Sequence, residues 1–93
     1  MRNHVIAKEV AVRMNKVIGQ LQGIQKMVEN DRYCVDILIQ LSSVAGALSK
    51  IEDLVMKQHL EHCVAEAMAS GDKEEKEEKI NEMLEVFSRF RRR

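Results

Sequence analysis

Two histidines and a thiol fall within five residues in the stretch M-K-Q-H-L-E-H-C-V, Met56–Val64, of a chain that has three histidines and two cysteines in all. Imidazole nitrogen and thiolate sulfur are the donors that soft and borderline metal ions select. His59 and Cys63 are four residues apart. On a helix they project from one face on adjacent turns and can chelate a single ion. His62 points about 100° around the helix from Cys63 and is less well placed. The other thiol, Cys34, comes 25 residues before His59. Twenty-five helical steps make about 2,500°, close to seven full turns, which puts Cys34 on the face of His59. At ~1.5 Å per step they also separate the two by roughly 37 Å along a continuous helix. One chain cannot close such a site.

An antiparallel second copy can. A two-fold axis near Gly46–Ala47 lays Cys34 of one chain beside His59 and Cys63 of the other, and Ser42, Ser43, Ala45, Gly46 and Ala47 are small enough for close approach there. Symmetry then makes two identical sites per dimer, one ion per chain. Two thiolates and one imidazole suit Cu(I), a soft ion content with three ligands. Zn(II) would want a fourth donor, for which His62, Glu61 or water could serve. Ni(II) would take more nitrogen, and His4 is the one histidine left over. The plainer alternative makes the cysteines small packing residues on an apolar seam, in a helical structural or adaptor protein.

The elements that must carry these donors are helices. The 93 residues hold no proline, no tryptophan and four glycines, which favours a small all-α domain over a β one. Three helices are predicted within one domain, residues 1–93: about 5–29, 32–69 and 72–88, with a basic tail over 89–93. In the first, Val10, Met14, Val17, Leu21, Ile24 and Val28 make an amphipathic stripe. In the second, Cys34, Leu41, Leu48, Val55 and His62 recur every seven residues, a seam suited to helix pairing. Asn30-Asp31 supplies stop and N-cap signals, and Ser70-Gly71-Asp72 supplies a C-cap glycine and an N-cap aspartate. Ile80, Met83, Leu84 and Phe87 form the stripe of the third helix.

The net charge is zero but unevenly spread. Arg2, Lys8, Arg13, Lys16, Lys26 and Arg32 outnumber Glu9, Glu29 and Asp31 in the first segment, which makes it the candidate polyanion face. There is no nucleophile elbow, phosphate loop or distinctive carboxylate pair, so no enzyme is expected. With no signal-peptide pattern and no apolar run near the roughly 18 residues that span a bilayer, a cytoplasmic protein is expected. Two cysteines in a reducing compartment are then thiols or ligands rather than a structural disulfide.

The run R-M-N-K-V-I-G-Q-L-Q-G-I-Q-K-M-V-E-N-D-R-Y-C-V-D-I-L-I-Q-L-S-S-V, followed by H-L-E-H-C-V, resembles the copper-sensing operon repressor family (CsoR/RcnR-like). The likeness is strong from about Arg13 to Val64 and looser over the last helix. It implies an all-α repressor that dimerises through antiparallel second helices and pairs again into a flat tetramer. It further implies that the metal-free tetramer binds operator DNA of metal-efflux genes and that Cu(I) releases it. The family's Cys–His–Cys set maps onto Cys34 of one chain and His59 and Cys63 of the other. Tyr33 matches its supporting tyrosine, and a glutamate of the third helix between Glu74 and Glu82, taken as Glu78, completes the surrounding network. DNA contact is expected at Arg13, Lys16, Gln20 and Lys50, with Arg2, Lys8 and the tail as lesser contributors. Nickel or cobalt sensors carry an additional N-terminal histidine where this chain has Arg2, with His4 close by. Persulfide sensors lack the histidine between the cysteines. Cys34, His59 and Cys63 together favour Cu(I). One departure weakens the DNA face, since Ala45 stands where members usually carry an arginine.

Overall fold

The computed structural model describes residues 3–90, apart from the side chain of Cys63. Arg2 and residues 91–93, expected as lesser DNA contacts, lie outside the described residues. All the described secondary structure is helical: α1 (His4–Glu29), α2 (Cys34–Gln58), a π-helical segment (His59–Val64), α3 (Ala65–Ala69) and α4 (Lys73–Phe90). The chain forms two compact units, Met1–Met56 and Lys57–Arg93.

In the first unit, Asn3 starts α1 by accepting hydrogen bonds at Oδ1 from the Val5 and Ile6 amides, at 2.9 and 3.2 Å. This satisfies two of the amides a helix start leaves unpaired. Ile6, Val10, Val17 and Ile24 of α1 are buried together with Val44 and Ile51 of α2, and Ile37, Ala47 and Leu54 pack against them. Met14, Leu21 and Val28, the other half of the expected stripe, are exposed. The same division runs down α2. Ile37, Val44 and Ile51 face inward, whereas Leu41, Leu48 and Val55 are each more than 40% exposed. The seam headed by Cys34 is therefore real but uncovered within the chain.

The end of α1 corrects the expected start of the second helix. The Arg32 amide donates to the Met27 carbonyl and the Asp31 amide to that of Val28, at 3.0 and 3.2 Å. That is the Schellman pattern, and it puts Asp31 in the left-handed region, at φ 53°. Asp31 is spent on closing α1 and cannot cap the next helix. The carbonyl of Tyr33 accepts the first bonds of α2, from the Asp36 and Ile37 amides, so α2 opens at Cys34 and not at 32.

The helical stretch Cys34–Ala69 is, by length and composition alone, apolar enough to cross a membrane, with a mean hydropathy of 1.4 over its most apolar 18 residues. This departs from the expectation of no spanning-length apolar run, because Ser, Gly and Gln interrupt the run without adding charge. In the second unit Ser70 ends α3. Gly71 follows at φ 78°, and Asp72 Oδ1 accepts from the Glu74 and Glu75 amides at 3.0 and 3.4 Å, which starts α4 at Lys73. Ala67 and Met83 are buried in this unit. Ile80, Leu84 and Phe87 of the expected stripe are exposed, so Met83 rather than the full stripe marks the inner face of α4.

Asp31 and Gly71 hold the same left-handed geometry with opposite side-chain suitability. Asp31→Gly is expected to raise, and Gly71→Ala to lower, the unfolding free energy by about 1 kcal/mol each, since only glycine adopts this region without cost. Urea unfolding at a fixed protein concentration checks both signs.

Candidate metal centre and basic face

His59 opens the π-helical segment, and position 63 lies within it. A π turn holds more than four residues, so both ends of His-x-x-x-Cys fall inside one wide turn. The second helix expected over about 32–69 is therefore not α-helical throughout. π turns are rare and recur at functional sites, but no residue type announces them. The turn also departs from the 3.6-residue period that the expected heptad assumes at His62.

His59 Nε2 lies 3.0 Å from Oε1 of Glu82 on α4. The approach lacks hydrogen-bond alignment, and Nε2 is buried without another partner. The separation is that of a catalytic or metal-site contact, which often aligns only when the site is complete. Lys79 holds the other oxygen of the same carboxylate, its Nζ 3.6 Å from Glu82 Oε2. The glutamate at the imidazole is thus Glu82, and the expected Glu78 lies one turn earlier. Met83 sets the inner face of α4, and Glu82 stands beside it. Of the expected stripe Ile80, Met83, Leu84 and Phe87, only Met83 is buried, so the stripe as a whole does not single out Glu82.

A histidine that presents one nitrogen to a carboxylate is held in one orientation with the other nitrogen available, the usual arrangement around metal-binding imidazoles. His59 meets the distance of that arrangement. Just before it, Gln58 is buried with its Oε1 also unpaired. Cys34 is an exposed free thiol and Tyr33 beside it is exposed. The Cys63 side chain falls outside the described residues. Among the described residues no three His, Cys, Asp or Glu side chains gather into a metal cluster.

The expected DNA residues divide in the same way. Arg13, Lys16 and Gln20 recur at helical spacing on α1 and, with Ala47 of α2, line a pocket of ≈ 330 Å³. Lys50 follows Ala47 by one turn without lining it. Arg13 is engaged by Glu9, one turn earlier. Ala45, where an arginine was expected by resemblance, does not line the pocket.

Residues 7–89 match the family model described as metal-sensitive transcriptional repressor. The chain belongs to that family. Among its relatives, the copper-sensing transcriptional repressor CsoR of Bacillus subtilis (strain 168) is 46% identical over 91 residues, covering 95% of this chain and 87% of the relative. The crystal structure of the copper-sensing repressor CsoR with Cu(I) from Geobacillus thermodenitrificans NG80-2 superposes with a TM-score of 0.86 at 34% identity. It covers 97% of this chain and 91% of that one. The nickel-responsive transcriptional regulator InrS superposes with a TM-score of 0.73 at 30% identity, over 86% and 90% of the two chains. Metal-sensitive transcriptional repressors are regulators rather than enzymes, and the three-helix plan read from the sequence is the fold of these relatives.

The His59–Glu82 contact has a direct spectroscopic check. Long-range proton–nitrogen spectra of the metal-free repressor should show the neutral His59 ring protonated at Nε2. A ring carrying its proton on Nδ1 would contradict the placement of Glu82.

Proposed function

We propose that this chain is a copper(I)-responsive repressor that occupies operator DNA when metal-free and leaves it on binding copper(I), in the cytoplasm, to derepress metal-efflux genes. The observation that carries the reading is the uncovered seam of Leu41, Leu48 and Val55 with Cys34 at its head. Apolar seams of this kind pair with another helix. Pairing with the same seam of a second copy, antiparallel, brings Cys34 to the partner's His59 and Cys63. The exposed Ile80, Leu84 and Phe87 of α4 then remain for a second contact, as a flat dimer of dimers would need. The same pairing assigns the membrane-like composition of the second helical stretch to protein contact rather than lipid.

Two sulfurs and one nitrogen are the donor set that soft copper(I) prefers, and at this site its binding would tie two chains together. Tyr33 and Glu82 flank the donors, and Glu82 with Lys79 links His59 to α4. Release follows from linkage. If the arrangement that joins Cys34 to the partner's imidazole differs from the one that fits DNA, metal weakens DNA binding and DNA weakens metal binding by the same factor. A nickel-responsive variant of the scheme would need more nitrogen ligands, from His62 or His4. A persulfide sensor would crosslink Cys34 to the partner's Cys63 and has no use for His59.

For DNA, Arg13, Lys16 and Gln20 form the centre of the contact face, with Lys50 beside it and Lys8 further along α1. With no helix-turn-helix, backbone and shape readout carries the recognition. Phosphate neutralisation by several such faces makes affinity fall steeply with salt.

Two measurements test the scheme. X-ray absorption of the copper(I)-loaded protein should give two sulfurs and one nitrogen per ion at one ion per chain. Glu82→Gln should weaken copper(I) binding by about 10- to 100-fold, and Glu78→Gln should leave it unchanged. Sulfur-free coordination, or equal losses in the two variants, would reject the assignment. Anaerobic copper(I) titration into the operator complex should release the DNA, and a complex that survives saturation would reject the repressor mechanism.

A further inference from the structure

The basic stretch of α1 contains a single acid before its last residue. Between Asn3 and Val28 the only carboxylate is Glu9, set among Lys8, Arg13, Lys16 and Lys26. It is not idle. Glu9 Oε1 accepts from both Nε and Nη2 of Arg13, each at 3.3 Å. Of the four residues assigned to the DNA face, Arg13 alone carries such an ion pair among the described residues.

Glutamate four residues ahead of arginine is the favourable order for a helical pair. Both side chains are two-fifths or more exposed, and a pair so well solvated adds little to stability. Its consequence lies in the charge. A guanidinium grips phosphate bidentately through adjacent N–H groups, and Nε with Nη2 is one such edge. Glu9 occupies that edge with an oxygen of the same sign and reach as a phosphate oxygen.

We propose that Glu9 is a built-in competitor for the DNA phosphate at Arg13, which lowers the affinity of the basic face for any duplex. This rests on the reading of Arg13 as a DNA contact. The device has a clear use. Coupling between an effector and DNA is finite, typically about 5- to 150-fold. A face that held every duplex too tightly would stay bound to DNA after the metal had arrived. Non-specific sites also compete in vast excess for any repressor. Phosphate contacts carry no sequence information, so trimming one costs little discrimination.

The test is Glu9→Gln, which keeps an oxygen to accept from Arg13 but removes the charge. Binding is measured on the operator and on an unrelated duplex across a salt series, with Glu9→Ala and an Arg13→Ala background as controls. The expected result is roughly 3- to 10-fold tighter binding of both duplexes near 0.1 M salt, with a log–log salt slope steeper by about one. Most of that gain should disappear in the Arg13→Ala background, as coupling between contacting residues requires. Copper(I) stoichiometry and thermal midpoint should not change, which separates the effect from misfolding. Unchanged or weaker binding by Glu9→Gln would overturn this inference alone. So would a gain that persists without Arg13, or a loss in Glu9→Ala that Glu9→Gln spares, since the latter marks a positioning role. Failure of the wild-type chain to bind either duplex would overturn the repressor reading, and this inference with it.

Discussion

One helix with two apolar seams, of which its own chain covers only one, is the constraint from which the remaining features follow. Ile37, Val44 and Ile51 are packed against α1, and Leu41, Leu48 and Val55 are left half in water. No large side chain is fully buried among the described residues. Chains this short bury a small share of their surface and commonly finish their cores by association. The division of α2 into a covered and an open seam turns that general need into a specific one. It leaves open the face that the proposed second copy would cover, with Cys34 at the end of that face.

The second unit meets a different demand, that of holding an imidazole still. Its devices are local. Gly71 and Asp72 turn the chain between α3 and α4, Met83 fixes the inner face of α4, and Glu82 is thereby set against His59 while Lys79 steadies its second oxygen. A π turn carries His59 and position 63 together. Histidines that ligate a metal, the role proposed for His59, depend on such supports for their orientation and basicity. Glu82 is the link between the imidazole and α4, whose Ile80, Leu84 and Phe87 are exposed.

Much of this was legible in the residues, and the parts that were not share a cause. Helices were readable because their signals are local and periodic. The stripe through Val10, Val17 and Ile24 and the heptad through Cys34, Leu41 and Leu48 both exist where expected. Which seam faces inward was not readable, since 34/41/48 and 37/44/51 are equally apolar and only packing chooses between them. The start of α2 was misplaced because Asp31 carries a helix-start signal and a left-handed-turn tolerance at once, and the turn took it. The π segment has no composition of its own. Glu82 stood among several glutamates at similar spacing, and its 3.0 Å approach to His59, which no residue type announces, distinguishes it from Glu78.

The central claim is that one site takes its donors from two chains, and subunit mixing tests it most directly. Cys34→Ala and His59→Ala proteins should each fail to bind copper(I) tightly on their own. After the two are mixed and allowed to exchange subunits, tight binding should return at about a quarter of the wild-type number of sites for random pairing. A mixture that stays inactive although exchange has been verified, for instance by mass spectrometry, would show that each site is closed within a single chain.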